Sequence, residues 1–520
     1  PSFRKYLRQM SVRTRFAPPR AGAMLEALRG LGYSTAAALA DVIDNSVSAG
    51  ATVVRVNFEW DGQESRISIL DNGRGMDDAD LETAMTLGAK SPLDERAPTD
   101  LGRFGMGLKT ASFSQCRCLT VASRRMDGPV SCLRWDLDAI AASQDGGWKM
   151  FEGPAFGSDA FVEPIETLCH GTIVLWERLD RIVTPGYDLD HFAGLVDDVE
   201  LRLAMVFHRL LEGPNPIFRL FINDRLVSPW DPFMTGHPAK PWQSPVAQVV
   251  TPSGLVEAQC HVLPHKDRIS EDEYRKAGGP EGWTSQQGFY VYRNRRLLLA
   301  GGWLGLGQGR SWNREEPQRL ARIRLDIPNT ADSTWKIDVK KSTARPPVTV
   351  RPWLTKLAED TRERARRVFA FRGAPMPGPG GLKVEQQAWR VDRLRGGVRY
   401  RIDEGHPAVA AVIESVGDKA DLVRAMLRVV EETVPVQRIW LDTAENKDTP
   451  RTGFSGEAET APDGVKTVLL TLFRDMIGRR GMSPEAAVRA LSSTEPFQIY
   501  PNLVASLPDI AATPDEGNAG

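Results

Sequence analysis

Asp41 and Asn45 stand four residues apart in ALADVIDNSVSAGAT, Ala38–Thr52. In a helix that spacing places both on one face, while Leu39, Val42, Ile43 and Val47 line another that can meet a core. An amide oxygen such as that of Asn45 can ligate Mg²⁺, a hard cation that takes oxygen donors. A carboxylate one turn earlier, Asp41, can orient or deprotonate a water. Asp44 is its nearest competitor, three positions along and turned toward the flank of the helix. By itself, an Asp and an Asn on a helix most often mark nothing more than a solvated face.

Two glycine-rich stretches follow. Asp71-Asn72-Gly73-Arg74-Gly75-Met76 comes directly after the strand-like RISIL. A carboxylate held at a strand end can accept a hydrogen bond from the amine of a flat base, and glycines let backbone come close to such a base. Gly102-Arg103-Phe104-Gly105-Met106-Gly107-Leu108-Lys109-Thr110 leads into an apolar, helix-compatible run. Backbone N–H groups at a helix start can cradle phosphate. This loop is not a Walker A loop, because Leu108 separates Gly107 from Lys109, nor a dinucleotide fingerprint, because Thr110 stands where a third glycine is required. Gly171-Thr172 opens a further strand, and the Thr172 hydroxyl could complete the hydrogen bonds around a base.

The elements that must position these groups can be read from periodicity. The pattern predicts a helix over 34–49 ending at Gly50, strands at Thr52–Trp60 and Arg66–Leu70 about a turn at Asp61-Gly62, and a strand Gly171–Arg178. An amphipathic stretch, His191–Leu211, is expected to open a second unit with strands Ile217–Asn223 and Gly288–Arg293. A Lys- and Arg-rich helix, Thr355–Phe371, then runs into the linker GAPMPGPGG, Gly373–Gly381.

The 520 residues carry 66 basic and 67 acidic side chains, a net charge of −1, so no whole-molecule field advertises a nucleic acid or a membrane. No apolar run reaches the roughly 20 residues a membrane helix needs, and no secretory signal is read at the N-terminus, so a cytoplasmic location is expected. The five cysteines show no zinc-type pairing and are expected to be buried or half-buried thiols.

In this order, the four motifs resemble the Bergerat nucleotide fold of the GHKL ATPases, the group that includes gyrase B, heat-shock chaperones, MutL and MORC proteins. The resemblance implies an α/β chain: a Bergerat-type ATPase sandwich, an α/β transducer domain and a mostly helical C-terminal domain. It implies ATP and Mg²⁺ as ligands, with Asn45 on the metal and Asp71 reading adenine together with Thr172 and a water. Gly73, Gly75 and Met76 would shape the base pocket, and Gly102, Arg103, Phe104, Gly105, Met106, Gly107, Leu108 and Lys109 would form the lid over the phosphates. Asp41 stands where many of these ATPases have glutamate as general base. PIFRLFINDRLVSPWDPF and QGFYVYRNRRLLLAGGW look like the MutL and MORC transducer, and WKIDVKKSTARPP places Lys341, with Lys340 close behind, where a lysine returns to the γ-phosphate.

The expected domains are an N-terminal arm 1–20, the ATP-binding domain 21–190, the transducer 191–350, a basic helix and linker 351–381, a mostly helical domain 382–505 and a flexible tail 506–520. The resemblance, nearest to bacterial MORC-like and MutL-like ATPases, implies an ATP-dependent homodimer that clamps DNA, in antiviral defence or DNA maintenance. Basic segments at Arg4 to Arg20, at Arg293, Arg295 and Arg296, and at Arg362 to Arg372 are the candidate DNA contacts, although solvated faces explain them equally well. The rival readings are a chaperone-like ATPase acting on protein clients, and a low-turnover nucleotide-sensing scaffold that recruits a partner nuclease or other defence proteins through residues 382–505.

Overall fold

A computed structural model of the chain describes residues 15, 19–30, 32–89, 107–126, 128–143, 147–338, 343–370, 387–394, 397–436, 439, 463–494, 497 and 500–512. Most of the expected N-terminal arm, the loop residues Gly102, Arg103, Phe104, Gly105 and Met106, the lysines Lys340 and Lys341, and the linker 373–381 lie outside them. The chain is mixed α/β and divides into two compact units, 1–374 and 375–520.

The first unit begins with α1 (Ala21–Arg29) and α2 (Thr35–Ser48). Ser34 caps α2, its hydroxyl accepting from the Ala37 N–H. The helix ends in a Schellman turn: Gly50 at φ 78° donates to Val47 O, and Ala51 donates to Ser46 O. The expected span 34–49 is thus met to within a residue at each end. Next come β1 (Val53–Glu59) and β2 (Arg66–Asp71), an antiparallel pair. Then follow α3 (Asp78–Met85), α4 (Gly107–Phe113), β3 (Cys118–Arg124), β4 (Val130–Asp136), β5 (Phe151–Glu152) and β6 (Gly171–Glu177).

Alternation along β1 and β2 sends Val54, Val56, Ile67 and Ile69 to one buried face, and Asp71 continues that face as the last residue of β2. Helices cover it. Leu39, Val42 and Ile43 of α2 join Phe113, Val174, Trp176 and those strand residues in one core.

The next helix, α5 (Leu189–Val206), breaks at Phe207 and resumes as α6 (His208–Leu211). Phe192, Val199, Leu203, Phe207 and Leu210 are buried in the same first core. After it, β7 (Arg219–Ile222) pairs in parallel with β1 and turns antiparallel into β8 (Arg225–Leu226), giving the strand order β5-β4-β3-β6-β2-β1-β7-β8. The expectation that His191–Leu211 and Ile217–Asn223 open the second unit is therefore corrected. Strand propensity specifies neither partner nor sheet, and β1 presents an open edge whose pairing buries Leu220 and Ile222.

The second sheet contains β9 (Trp242–Gln243), β10 (Ala247–Thr251), β11 (Gly254–Val262), β12 (Gly288–Arg293), β13 (Arg296–Ala300) and β14 (Ala321–Asp326). Its order is β10-β11-β14-β12-β13, with β9 on β11. β12 matches its expected span residue for residue. A two-residue turn with Asn294 and Arg295 both at positive φ closes β12 onto β13, the backbone geometry that suits the twist of a hairpin.

Helix α7 (Arg351–Ala370) places Leu354, Ala358 and Ala365 in the core of this sheet. Pro352 in its first turn is tolerated because the N–H groups there have no helical partner. Its cations are largely engaged within the unit: Arg362 stacks on Trp303 and Trp312, Arg364 on Trp242, and Arg366 and Arg367 both pair with Glu363.

The second unit opens with a hairpin, β15 (Trp389–Leu394) and β16 (Gly397–Ile402), and is otherwise helical among its described residues. Its core gathers Val465, Leu469, Phe473, Leu491, Tyr500, Val504 and Leu507. The expectation of a loose tail from 506 is corrected here: Leu507–Ala512 is a helix, held because Leu507 is fully buried in that core. No helix of the described residues is long and apolar enough to cross a membrane.

Candidate functional site

One helix links the polar groups singled out in the sequence. From α2, the Ser46 hydroxyl donates to Asp71 Oδ2 at 2.6 Å, and the Gly73 N–H donates to Asp71 Oδ1 at 2.8 Å. Asp71 is 6% exposed. Burial raises its pKa, opposed by the hydrogen bonds from Ser46, Gly73 and the Thr172 backbone and by the nearby His170. Each carboxylate oxygen has a second lone pair, so acceptor capacity remains. Asp71 and Thr172 are register partners in β2 and β6, so the two residues paired in the sequence reading do meet. The Thr172 hydroxyl lies 2.8 Å from that of Ser123, which also accepts from the Met76 N–H and donates to Gly171 O.

The glycines around Asp71 are required by packing against protein. A Cβ on Gly75, at φ 65°, would sit 1.8 Å from the Arg124 carbonyl oxygen. A Cβ on Gly73 would meet Ala49 Cβ at 2.8 Å and Asp71 Oδ1 at 2.9 Å. The close approach read from these glycines thus includes one to the end of β3. Gly75→Ala is expected to destabilise the first unit by about 3–5 kcal/mol, a left-handed backbone penalty added to a clash with main chain. A denaturant midpoint equal to wild type would refute that reading of Gly75.

Earlier along α2, Asp41 is 7% exposed and Asp44 1%. The Tyr33 hydroxyl donates to Asp41 Oδ2 at 3.1 Å; burial first, and then the Asp41 charge, push the Tyr33 pKa upward. Arg296 of β13 sends Nε to Asp44 Oδ1 at 3.0 Å and Nη2 to within 3.6 Å of Asp41 Oδ1. Gly107, where α4 leaves the glycine loop, lies beside Asp41: a Cβ there would be 3.9 Å from Oδ2. Asn45 is exposed, so the face it shares with Asp41 runs from buried carboxylate to open amide within one turn. That oxygen donor suits Mg²⁺ in type and accessibility.

Lys109 is buried, and its ammonium donates to the carbonyls of Ala84 and Thr86 at the end of α3 at 2.7 and 2.9 Å. Those carbonyls lack helical donors and attract a cation, so Lys109 holds the α3 terminus in this structure. Leu108 packs partly against the core beside it. Arg293 and Arg296, read as a possible DNA patch, are corrected: both are buried, and of the three only Arg295 is exposed, near Glu212. The cysteines are free thiols, and Cys169 departs from expectation in being exposed.

The residues missed in the sequence are Ser46, Ser123, Tyr33 and Arg296. Ser46 had a usable signal, since it falls on the apolar side of α2, three and four residues from Ile43 and Val42, where a polar group needs a buried partner. Arg296 had none, because its partner Asp44 is 252 residues away.

Comparison with known proteins bears on this geometry. Residues 33–172 match the family described as histidine kinase-, DNA gyrase B-, and HSP90-like ATPase. Over 186 residues, 36% of this chain, the sequence is 26% identical to the DNA mismatch repair protein MutL of Rhodospirillum rubrum. The aligned stretch spans 28% of that protein.

Proposed function

We propose that the protein binds ATP with Mg²⁺, hydrolyses it, and uses the cycle to close and reopen a homodimeric clamp on DNA, a reading supported by the match of residues 33–172 to the histidine kinase-, DNA gyrase B-, and HSP90-like ATPase family. The observation that carries this reading is the single helix α2. Its Ser46 holds the base-reading carboxylate Asp71, its Asn45 offers a metal ligand, and its Asp41 faces the Gly107 end of the glycine loop. Ser46 lies five residues from Asp41, a rise of about 7.5 Å, so a rigid rod sets the spacing between base pocket and phosphate chemistry.

Asp71, with Thr172 and a water, accepts from the adenine amine, and Gly73, Gly75 and Met76 shape that pocket. Asp41 takes the proton of the attacking water. Arg296 lies beside it, its Nη2 3.6 Å from Asp41 Oδ1. Asn45 would hold the metal, which would supply neutralisation of phosphate charge. Gly102, Arg103, Phe104, Gly105, Met106 and Gly107 close over the phosphates, and Lys341 of the transducer reaches the γ-phosphate. Pairing across a two-fold axis ties nucleotide state to shape, because a ligand shifts an equilibrium only by its differential affinity for the two states.

DNA as the clamped substrate is supported by likeness to a DNA mismatch repair protein over part of its length, and a role in antiviral defence or DNA maintenance extends that reading. Burial of Arg293 and Arg296 leaves fewer exposed cations for it than the sequence suggested, and Arg366 and Arg367 on α7, though exposed, pair with Glu363. The test is the oligomeric state with and without a non-hydrolysable ATP analogue, and with circular DNA. An analogue-dependent dimer that retains circular but releases linearised DNA is the expected result. A dimer that ignores DNA and whose ATPase rate responds to unfolded protein would support a chaperone-like enzyme. A protein that binds ATP without pairing or turning over would support a nucleotide-sensing scaffold.

A further inference from the structure

Arg296 reaches out of the second sheet to the helix that carries the candidate base. It is the first residue of β13, placed directly after the Asn294–Arg295 turn, and is 4% exposed. Its guanidinium is used on both edges. Nη1 donates to the carbonyl of Leu297 at 2.6 Å, which fixes the group against its own strand. The opposite edge spans two carboxylates one turn apart on α2: Nε donates to Asp44 Oδ1 at 3.0 Å, and Nη2 lies 3.6 Å from Asp41 Oδ1. The Phe207 ring lies 5.9 Å from the guanidinium carbon. A planar fork held on one side and bridging two acceptors on the other has little freedom to drift.

We propose that Arg296 is a positioning residue for ATP hydrolysis: anchored through Asp44, it sets the orientation of Asp41, so that the second sheet acts on the hydrolytic group through this contact. The inference rests on Asp41 being the general base. The two carboxylates have distinct duties. Asp44, more deeply buried and at hydrogen-bond distance, anchors the arginine; Asp41, farther from it, lies beside Gly107. A shift of the β12–β13 hairpin relative to α2 moves the guanidinium with respect to Asp41. Misplacement of a reacting group by about 1 Å can cost about 10²-fold in rate, so a small displacement suffices to gate turnover.

The test uses the full chain and separates kcat from binding. Arg296→Met is expected to lower kcat about 10–100-fold while ATP and ADP affinities stay within about threefold, since Asp71 and Asn45 are untouched. Arg296→Lys, which restores charge without the fork, is expected to recover part of the loss. In an Asp41→Asn background, Arg296→Met should lower kcat no further, because both changes act on one group. If Arg296→Met fails to fold, Arg296→Met combined with Asp44→Asn removes the stranded buried carboxylate and is read in the same way. A folded Arg296→Met or double variant with wild-type kcat, or losses that add in the Asp41→Asn background, would overturn the proposal. Wild-type turnover in Asp41→Asn alone would instead remove the general-base reading beneath it.

Discussion

Asp41→Asn is expected to bind ATP as the wild type does and to hydrolyse it roughly 10²–10⁴-fold more slowly, the usual contribution of a positioned general base. The amide can still accept from the Tyr33 hydroxyl, so the local hydrogen bond survives while the proton acceptor is lost. Asp71 and Asn45 are unchanged, and the variant should accumulate as the closed, ATP-bound dimer. The surroundings of Asp41 also give a direction for Asp41→Glu. An added methylene must fit between Tyr33 and Arg296 in a site that is 7% exposed, and overpacking of this kind costs about 1–3 kcal/mol. The longer side chain is therefore expected to lower turnover. Asp44→Asn should act less on the chemistry, because Asp44 is directed at Arg296. Phosphate release measured after removal of contaminating ATPases checks the series, and wild-type turnover in Asp41→Asn would rule out its role as base.

What the sequence made legible follows from how local each signal is. Helix α2 was readable because its apolar spacing, the Ser34 cap and the Gly50 stop all lie within one window. Strand β12 was readable for the same reason, bounded by Gly288 and the Asn294–Arg295 turn. The meeting of Asp71 with Thr172 came from the order of motifs and not from local physics. Long-range partnership was where sequence reasoning failed. β7 carries a strand's composition, yet nothing in RLFI says that it extends the first sheet through β1. Arg293 and Arg296 carry charge, and charge in a sequence reads as surface until a buried partner is known. Lys109 follows a glycine-rich stretch in the sequence, and nothing local to it says that from α4 its ammonium reaches the carbonyls at the end of α3.

Asp71→Asn is expected to separate nucleotide binding from stability. Burial raises the Asp71 pKa above its ordinary value of 3.8. A group whose folded pKa is raised supports the fold most at pH values below its unfolded pKa, and that support is lost as pH rises through the folded value. At neutral pH the ionised carboxylate is therefore a cost to the empty domain, and a neutral amide of the same shape should leave stability equal or improved. Binding should move the other way. The Gly73 N–H requires the amide oxygen on the Oδ1 side, which turns the NH₂ toward Ser46, whose hydroxyl can rotate to accept it. The arriving adenine amine then meets a site stripped of charge assistance, a loss of about 1.5–3 kcal/mol or roughly 10–150-fold in affinity. Wild-type ATP affinity should also fall as pH is lowered through the raised Asp71 value, beginning above pH 3.8, and the Asn variant should lack that limb. Calorimetry across pH, paired with denaturant midpoints for both proteins, tests all three expectations. Unchanged ATP affinity in Asp71→Asn would move the base pocket away from Asp71, and a loss of affinity accompanied by a lowered midpoint would mean that the carboxylate supports the fold and does not read adenine.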